Sequence, residues 1–399
     1  MKILYFKLRA IVVTWLMRLL PRNPPIVFKG PNSSLALCEQ VGVLGFDKVM
    51  LVTDEFLNSS GLLDKIKATL DKQGVEFAVF DAVLPDPAWD QVQAGEALIR
   101  TERCQAIIAV GGGSVLDAAK MMAMLHTNPG SLASFDGIQK SKNPGMPLFA
   151  IPTTAGTGSE ITLAAVITDP VTHRKAPIVD SKMIPGYIAL DAEIMKGMPP
   201  GITAATGMDA LTHAIESYIG SFGNAETDFY GLAAARMVFK YLPIACRDGD
   251  NLEAREAMAL ASYYGGLAIT QALVGYVHAV SHNLGARYGI PHGLGNAMVL
   301  PHVLELMKKD ATGKMAEIAV HAQLGEGGEA DSVLAQKLVD RVWELNREIG
   351  IPQTCEAIRA EDIEELVEVA LAEGAAYPSP RFLEAHECRA LLTRLSTGA

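Results

Sequence analysis

Residues 105–117 read QAIIAVGGGSVLD, and this stretch decides the fold. Gln105–Val110 is a nearly continuous apolar run, the pattern of a strand buried on both faces. Gly111-Gly112-Gly113-Ser114 follows at its carboxyl end, and Val115-Leu116-Asp117 opens a helical pattern. Glycines there let the backbone approach a ligand, while the free N–H groups and positive end of the helix favour a phosphate. Leu116 stands where the usual dinucleotide fingerprint has its third glycine, and no Gly-Lys-Ser/Thr follows to make a P-loop. A tight turn without a ligand is the plain alternative.

Working outward, Lys48–Thr53, Glu76–Asp81 and Pro147–Ile151 are further apolar runs, separated by helical stretches that include Gly61–Gln73 and Pro87–Glu102. Such alternation predicts right-handed parallel crossovers and a doubly wound α/β sheet. Ile161–Thr168 and Ala176–Val179 flank Asp169-Pro170 and read as a hairpin. Two more strand ends are polar. Pro152–Glu160 (PTTAGTGSE) offers hydroxyls and glycines suited to a ribose, amide or phosphate. Asp54 follows Val52-Thr53, where a carboxylate accepts a ribose 2′-hydroxyl and repels a 2′-phosphate, favouring NAD over NADP; the alternative is a helix N-cap.

After Pro199-Pro200 the strands stop. Residues 203–220, 226–243, 252–271, 272–287, 295–309, 312–323, 331–348 and 361–373 all read as helices rich in Ala, Leu, Met and Glu. The expected organisation is an N-terminal extension over 1–23, an α/β dinucleotide-binding domain over 24–198 and an all-α domain over 199–399. Ligands favour the cleft between such domains.

Composition limits the function classes. The 399 residues carry a net charge of −11, which leaves no electrostatic footprint for nucleic acid. Five widely spaced cysteines without a C-x-x-C pair argue against a disulfide framework or zinc ribbon and suit a reducing, cytoplasmic compartment. Ala10–Met17 is apolar but too short for the ~20 residues of a membrane span, and the charges at Lys7 and Arg9 do not suit a signal peptide. Ile11, Val12, Trp15, Leu16 and Leu19 recur at helical spacing, so residues 4–20 are expected to form an amphipathic helix packed on the body or on a partner subunit, with interfacial membrane contact the alternative.

The helical half carries the sharper chemistry. Asp209 and His213 are four apart, as are His278 and His282, and each spacing puts two side chains on one helix face. His292 follows on what reads as a glycine-bounded turn, Gly289-Ile290-Pro291-His292-Gly293. Their neighbours are apolar, and such groups on buried faces are costly unless paired or bound to metal. A polar core network is the alternative for one histidine; five groups in three segments point to a divalent metal. Spacing alone does not choose which four ligate, nor between iron and zinc.

Together and in this order, Gly111-Gly112-Gly113-Ser114 with Asp117, the Pro152–Glu160 loop, Gly207–Glu216 and His278 with Pro291-His292-Gly293 resemble the iron-dependent (group III) alcohol dehydrogenase family over nearly the whole chain. The resemblance implies an N-terminal dinucleotide-binding domain followed by a helical one, an architecture shared with dehydroquinate synthase, with metal and nicotinamide meeting in the cleft. It implies that Asp209, His213, His278 and His292 hold the metal, Fe2+ or Zn2+, with His282 beside them as a non-ligand that lines the site or relays a proton. Gly112, Gly113, Ser114, Asp117, Thr153, Thr154, Thr162 and Lys175 would contact NAD, with Asp54 favouring it. Asp86 falls where many members have Asn. All four ligand positions are filled, unlike in the related maleylacetate reductases.

The activity implied is interconversion of a small primary alcohol and its aldehyde by hydride transfer with a nicotinamide cofactor, in a homo-oligomer, often a dimer. A cyclising lyase like dehydroquinate synthase is the first alternative, but few basic residues stand near the histidine segments to hold a phosphorylated substrate, Arg287 being the nearest. A non-catalytic metal-dependent scaffold is the second.

Overall fold

A computed structural model of the chain describes residues 24–171 and 175–397. The expected N-terminal extension and its helix lie outside the described residues, as does His173. Two compact units result: 24–154 with 158–196, and 155–157 with 197–397.

Among the described residues the first unit has nine strands: β1 (Ile26–Lys29), β2 (Lys48–Val52), β3 (Glu76–Phe80), β4 (Ala106–Gly111), β5 (Gly137–Ile138), β6 (Leu148–Pro152), β7 (Ala164–Thr168), β8 (Lys175–Val179) and β9 (Tyr187–Leu190). Six pair in the order β1-β9-β6-β4-β2-β3, all parallel, as the strand–helix alternation predicts. Every residue of β4 is buried, which is why its sequence is apolar without alternation. The crossover helices are α1 (Ser33–Val43), α2 (Glu55–Ser59), α3 (Asp64–Lys72), α4 (Trp89–Glu102), α5 (Gly113–Thr127) and α6 (Leu132–Phe135). α1 packs with α3, and α4 with α5.

The order places β3 on one side of β2 and β4 on the other, so the winding reverses between β2 and β4. Ligands of such sheets sit outside the carboxyl ends of the strands at this reversal. The turns that emerge there are Thr53-Asp54 and Gly112. The expected hairpin is present: β7 and β8 pair antiparallel with Val166 opposite Pro177, and β5 adds to β8. The edge strand β1 and its neighbour β9 have four residues each, too short to stand out in the sequence.

The second unit is helical: α7 (Pro200–Ile219), α8 (Ala225–Arg247), α9 (Leu252–Ala272), α10 (Tyr276–Tyr288), α11 (His292–Met307), α12 (Thr312–His321), α13 (Asp331–Glu348), α14 (Ile363–Gly374) and α15 (Ala385–Thr397). Pro200 starts α7 at the first helical position, where its missing N–H costs nothing. Asn224 caps α8 in a box with Thr227, and Asn251 caps α9 through Ala254 N. α7 is the central helix, buried from Gly207 to Ile219 and packed against α8, α9 and α11.

Three expectations change. The helices predicted to abut at 271/272 are parted by Leu273–Gly275, with Leu273 at φ 61°, so α10 begins at Tyr276 and His278 lies in its first turn. His292 is the first residue of α11 rather than part of a turn. The glycines beside it serve close packing: a Cβ on Gly293 would lie 2.4 Å from the Ala205 carbonyl of α7, and one on Gly295 2.5 Å from Ser281 Oγ. A last helix, α15, goes beyond the segments read from the sequence. Among the described residues no single helix is long and apolar enough to cross a membrane.

Candidate active site

α7 supplies Asp209 and His213, α10 supplies His278, and α11 supplies His292. One ligand atom from each lies within 4.8 Å of every other. Asp209 Oδ1 is 3.5 Å from His213 Nε2 and 3.4 Å from His292 Nε2. The His213 and His278 rings stack at 5.1 Å. Asp209, His213 and His278 are buried, whereas the His292 side chain is 40% exposed. The quartet is closed on three sides and open at His292.

The donor set fits a divalent cation. One carboxylate and three imidazoles converge, and burial, then the neighbouring His213, His292 and His282, hold His278 well below the usual imidazole range, leaving it a neutral lone-pair donor. Asn296, one turn after His292, points its amide nitrogen into the same space. Nδ2 donates to Asp209 Oδ1 at 2.7 Å and stands 3.2 Å from His278 Nε2 and 3.1 Å from His292 Nε2. Its Oδ1 is buried with no partner. Acceptors crowded around one point in a dry interior need a donor or a cation among them.

Two carboxylates stand behind the histidines. Glu216 Oε2 is 2.6 Å from His278 Nδ1, and the same carboxylate accepts from Gly275 N at 2.8 Å and Val277 N at 2.7 Å, covering the open N–H groups at the start of α10. Glu373 Oε1 is 2.6 Å from His282 Nδ1. The His282 ring is outside the quartet but stacks on His292 at 5.2 Å. Glu216 is legible in retrospect, since it falls two turns after Asp209 on the same face of α7. Asn296 has the same signal relative to His292. Glu373 has none, because 91 residues separate it from His282.

In the α/β unit the polar turns gather at the carboxyl edge of the sheet. α5 starts at Gly113 with Gly112 as N-cap and no side chain capping it, so its first N–H groups point outward. Thr153 N donates to Gly111 O at 3.0 Å, and a Cβ on Gly112 would touch Thr154 Cγ2 at 3.4 Å. Gly112, Gly113, Ser114, Thr153 and Thr154 therefore form one cradle. Asp54 caps α2, accepting from Leu57 N at 2.8 Å through Oδ1.

Asp117 and Thr162 lie beneath this edge with their polar atoms engaged. Asp117 accepts from Ser159 Oγ at 2.6 Å and Val166 N at 2.9 Å. Thr162 accepts from Lys120 Nζ through its carbonyl at 3.0 Å and its hydroxyl at 3.2 Å. Lys120 is fully buried and its ammonium is pushed down by burial, a feature the apolar look of α5 conceals. Lys175 Nζ donates to Asp86 Oδ1 at 2.6 Å on the surface. Asp86 has φ 54°, a left-handed conformation that Asn and Asp tolerate best.

Comparison with known proteins gives one answer. The profile described as iron-containing alcohol dehydrogenase matches residues 24–192, and that of the C-terminal part of the Fe-containing alcohol dehydrogenase family matches 203–396. Alcohol dehydrogenase 4 of Schizosaccharomyces pombe is 39% identical over 86% of this chain and 81% of its own length. The NAD-dependent methanol dehydrogenase of Bacillus methanolicus is 35% identical over 90% and 94%. A crystal structure of a 1,3-propanediol oxidoreductase superposes with a TM-score of 0.90 at 38% identity, covering 93% of this chain and 98% of that one.

Proposed function

The chain belongs to the iron-containing alcohol dehydrogenase family, and on that premise we propose that Asp209, His213, His278 and His292 hold its divalent ion and that its substrate is a small primary alcohol or the corresponding aldehyde. It is an NAD-dependent alcohol–aldehyde oxidoreductase. The observation that carries the site assignment is the convergence of four ligand atoms from three helices within 4.8 Å. Relatives named for methanol and 1,3-propanediol support a short substrate. The lyase and scaffold alternatives find no counterpart among these relatives.

A divalent iron or zinc ion held by Asp209, His213, His278 and His292 would supply Lewis acidity, and NAD held at the glycine turn would supply the hydride acceptor or donor. The chain's own residues do the rest. Glu216 accepts from His278 Nδ1, which leaves Nε2 as the coordinating lone pair. The exposed side of His292 is the route by which a substrate reaches the quartet. His282, 39% exposed and stacked on His292, accepts the hydroxyl proton during oxidation and passes it to solvent.

For the cofactor, the uncapped start of α5 with Gly112, Gly113 and Ser114 takes the pyrophosphate. Thr153 and Thr154 flank it. Asp54, with Oδ1 spent on its cap, offers Oδ2 to the ribose. Lys175 and Asp86 form a polar rim, and Asp117 and Thr162 act from below by holding the floor of the cradle. The same reading assigns 24–198 to cofactor binding and 199–399 to the metal. It makes the enzyme a cytoplasmic homo-oligomer, supported by five cysteines with no disulfide and by an edge strand that exposes Ile26 at 55%.

The test is NADH absorbance with a panel of primary alcohols and aldehydes, before and after chelation and after restoring iron or zinc. Turnover is expected to vanish on chelation and return with metal. Undiminished turnover in protein shown metal-free by elemental analysis refutes the assignment.

A further inference from the structure

His278 and His282 stand one turn apart on α10, and each meets a carboxylate at its Nδ1, Glu216 for the first and Glu373 for the second, both at 2.6 Å. The second pair lies outside the quartet. We propose that Glu373 is a positioning residue that holds His282 as its Nδ1–H tautomer, so that Nε2 is the lone pair offered to the substrate hydroxyl proton. The inference rests on the role given above to His282 and adds the group that sets it up.

The tautomer follows from counting donors. Tyr377 Oη donates to Glu373 Oε1 at 2.8 Å, and Asn283 Nδ2 donates to Oε2 at 3.1 Å. Asn283 Nδ2 also donates to the Ala279 carbonyl at 2.7 Å, which fixes which end of that amide faces Glu373. Burial, then the charge of Glu373, holds the Tyr377 phenol well above its usual range, so it stays a donor. A carboxylate served by two donors is an acceptor, and a bare Nδ1 lone pair 2.6 Å away would be repelled. Nδ1 therefore carries the hydrogen, and in a neutral ring Nε2 does not.

The spacing is built in. Gly374 follows Glu373, and a Cβ there would lie 2.2 Å from the Tyr276 ring of α10. Only glycine lets α14 come this close to α10. In the step served, the alcohol O–H bond breaks, an Nε2–H bond forms, the resulting imidazolium faces the Glu373 carboxylate, and the proton leaves for water from the exposed ring.

The experiment uses full-length, zinc-loaded protein with 15N-labelled histidine. His282→Asn assigns the ring signals by their disappearance. The wild-type spectrum is expected to show a protonated Nδ1 and an unprotonated Nε2. Glu373→Ala is expected to mix the tautomers and to lower kcat for 1-propanol oxidation roughly tenfold or more, with zinc content and both KM values little changed. Glu373→Gln, whose amide oxygen still accepts, is expected to retain more of both, and it decides the matter if the alanine variant does not fold. A wild-type ring protonated at Nε2 overturns the proposal, as does a folded alanine variant with unchanged tautomer or unchanged kcat. Full turnover in His282→Asn would instead remove the proton-transfer role of His282 while the spectrum still decides the tether.

Discussion

Glu216 and His278 meet at 2.6 Å in a dry interior, each side chain 3% exposed, and the same carboxylate takes two backbone N–H groups at the start of α10. One residue thus ties α7, which carries Asp209 and His213, to the helix that carries His278. Such a partner fixes the ring of a metal ligand and raises its basicity. Glu216→Gln keeps the shape and replaces one acceptor oxygen with an amide donor. It is expected to weaken zinc or iron binding about 10- to 100-fold, read by competition with a chelating dye, while NADH affinity is unchanged. Unaltered metal affinity would show the pair to be a helix cap only.

The approach of α11 to α7 sets the quartet. Gly293→Ala puts a methyl 2.4 Å from the Ala205 carbonyl and 3.4 Å from Asp209 Cβ, so α11 has to shift. Backbone cannot yield as a flexible side chain would. Metal affinity is expected to fall by about tenfold or more, with cofactor binding intact by fluorescence titration. A variant that binds metal normally would mean the close contact has no bearing on ligand geometry.

On the proposed reading, cofactor choice turns on Asp54. Asp54→Ser keeps a capping oxygen for α2 but removes the charge. The ratio of kcat/KM for NADP to that for NAD is expected to rise about tenfold or more, the effect of removing ~1.4 kcal/mol of repulsion. An unchanged ratio would leave Asp54 as a cap alone.

Glu160 gives a pH signature. It is buried, Oε1 has no partner, and burial raises its pKa from 4.5 to about 7. The folded state therefore holds this proton where the unfolded chain has lost it, so stability falls as pH rises from 4.5 through about 7. Glu160→Gln removes that dependence. Its Tm is expected to drop less than the wild-type Tm between pH 5 and pH 8, by a few degrees in a calorimetric scan. Parallel curves would show that Glu160 does not titrate in this window.

Much of the molecule is readable along the chain because its signals are local. Buried parallel strands are apolar runs, so β2, β4 and β6 announce themselves; the edge strand β3 is apolar too, although only Phe80 is buried, and the glycines after β4 mark the start of a helix. Asp209 and His213 advertise one helix face by their spacing. What periodicity cannot reveal is where helices stop for steric reasons. The break at Leu273–Gly275 and the start of α11 at His292 depend on neighbours, not on propensity.

Two folding patterns, the glycine turn after β4 and the set of groups from which the proposed metal ligands are drawn are all written along the chain. How those groups are used follows from packing. It brought three helices into register around one point, left His282 outside that point, aimed Asn296 into it, and put Glu216 and Glu373 behind two histidines. The physical reason is range. Propensity and burial act over a few residues, whereas a carboxylate 91 positions away from its histidine is placed by the packing of whole helices against one another, and that packing exists only once the chain has folded.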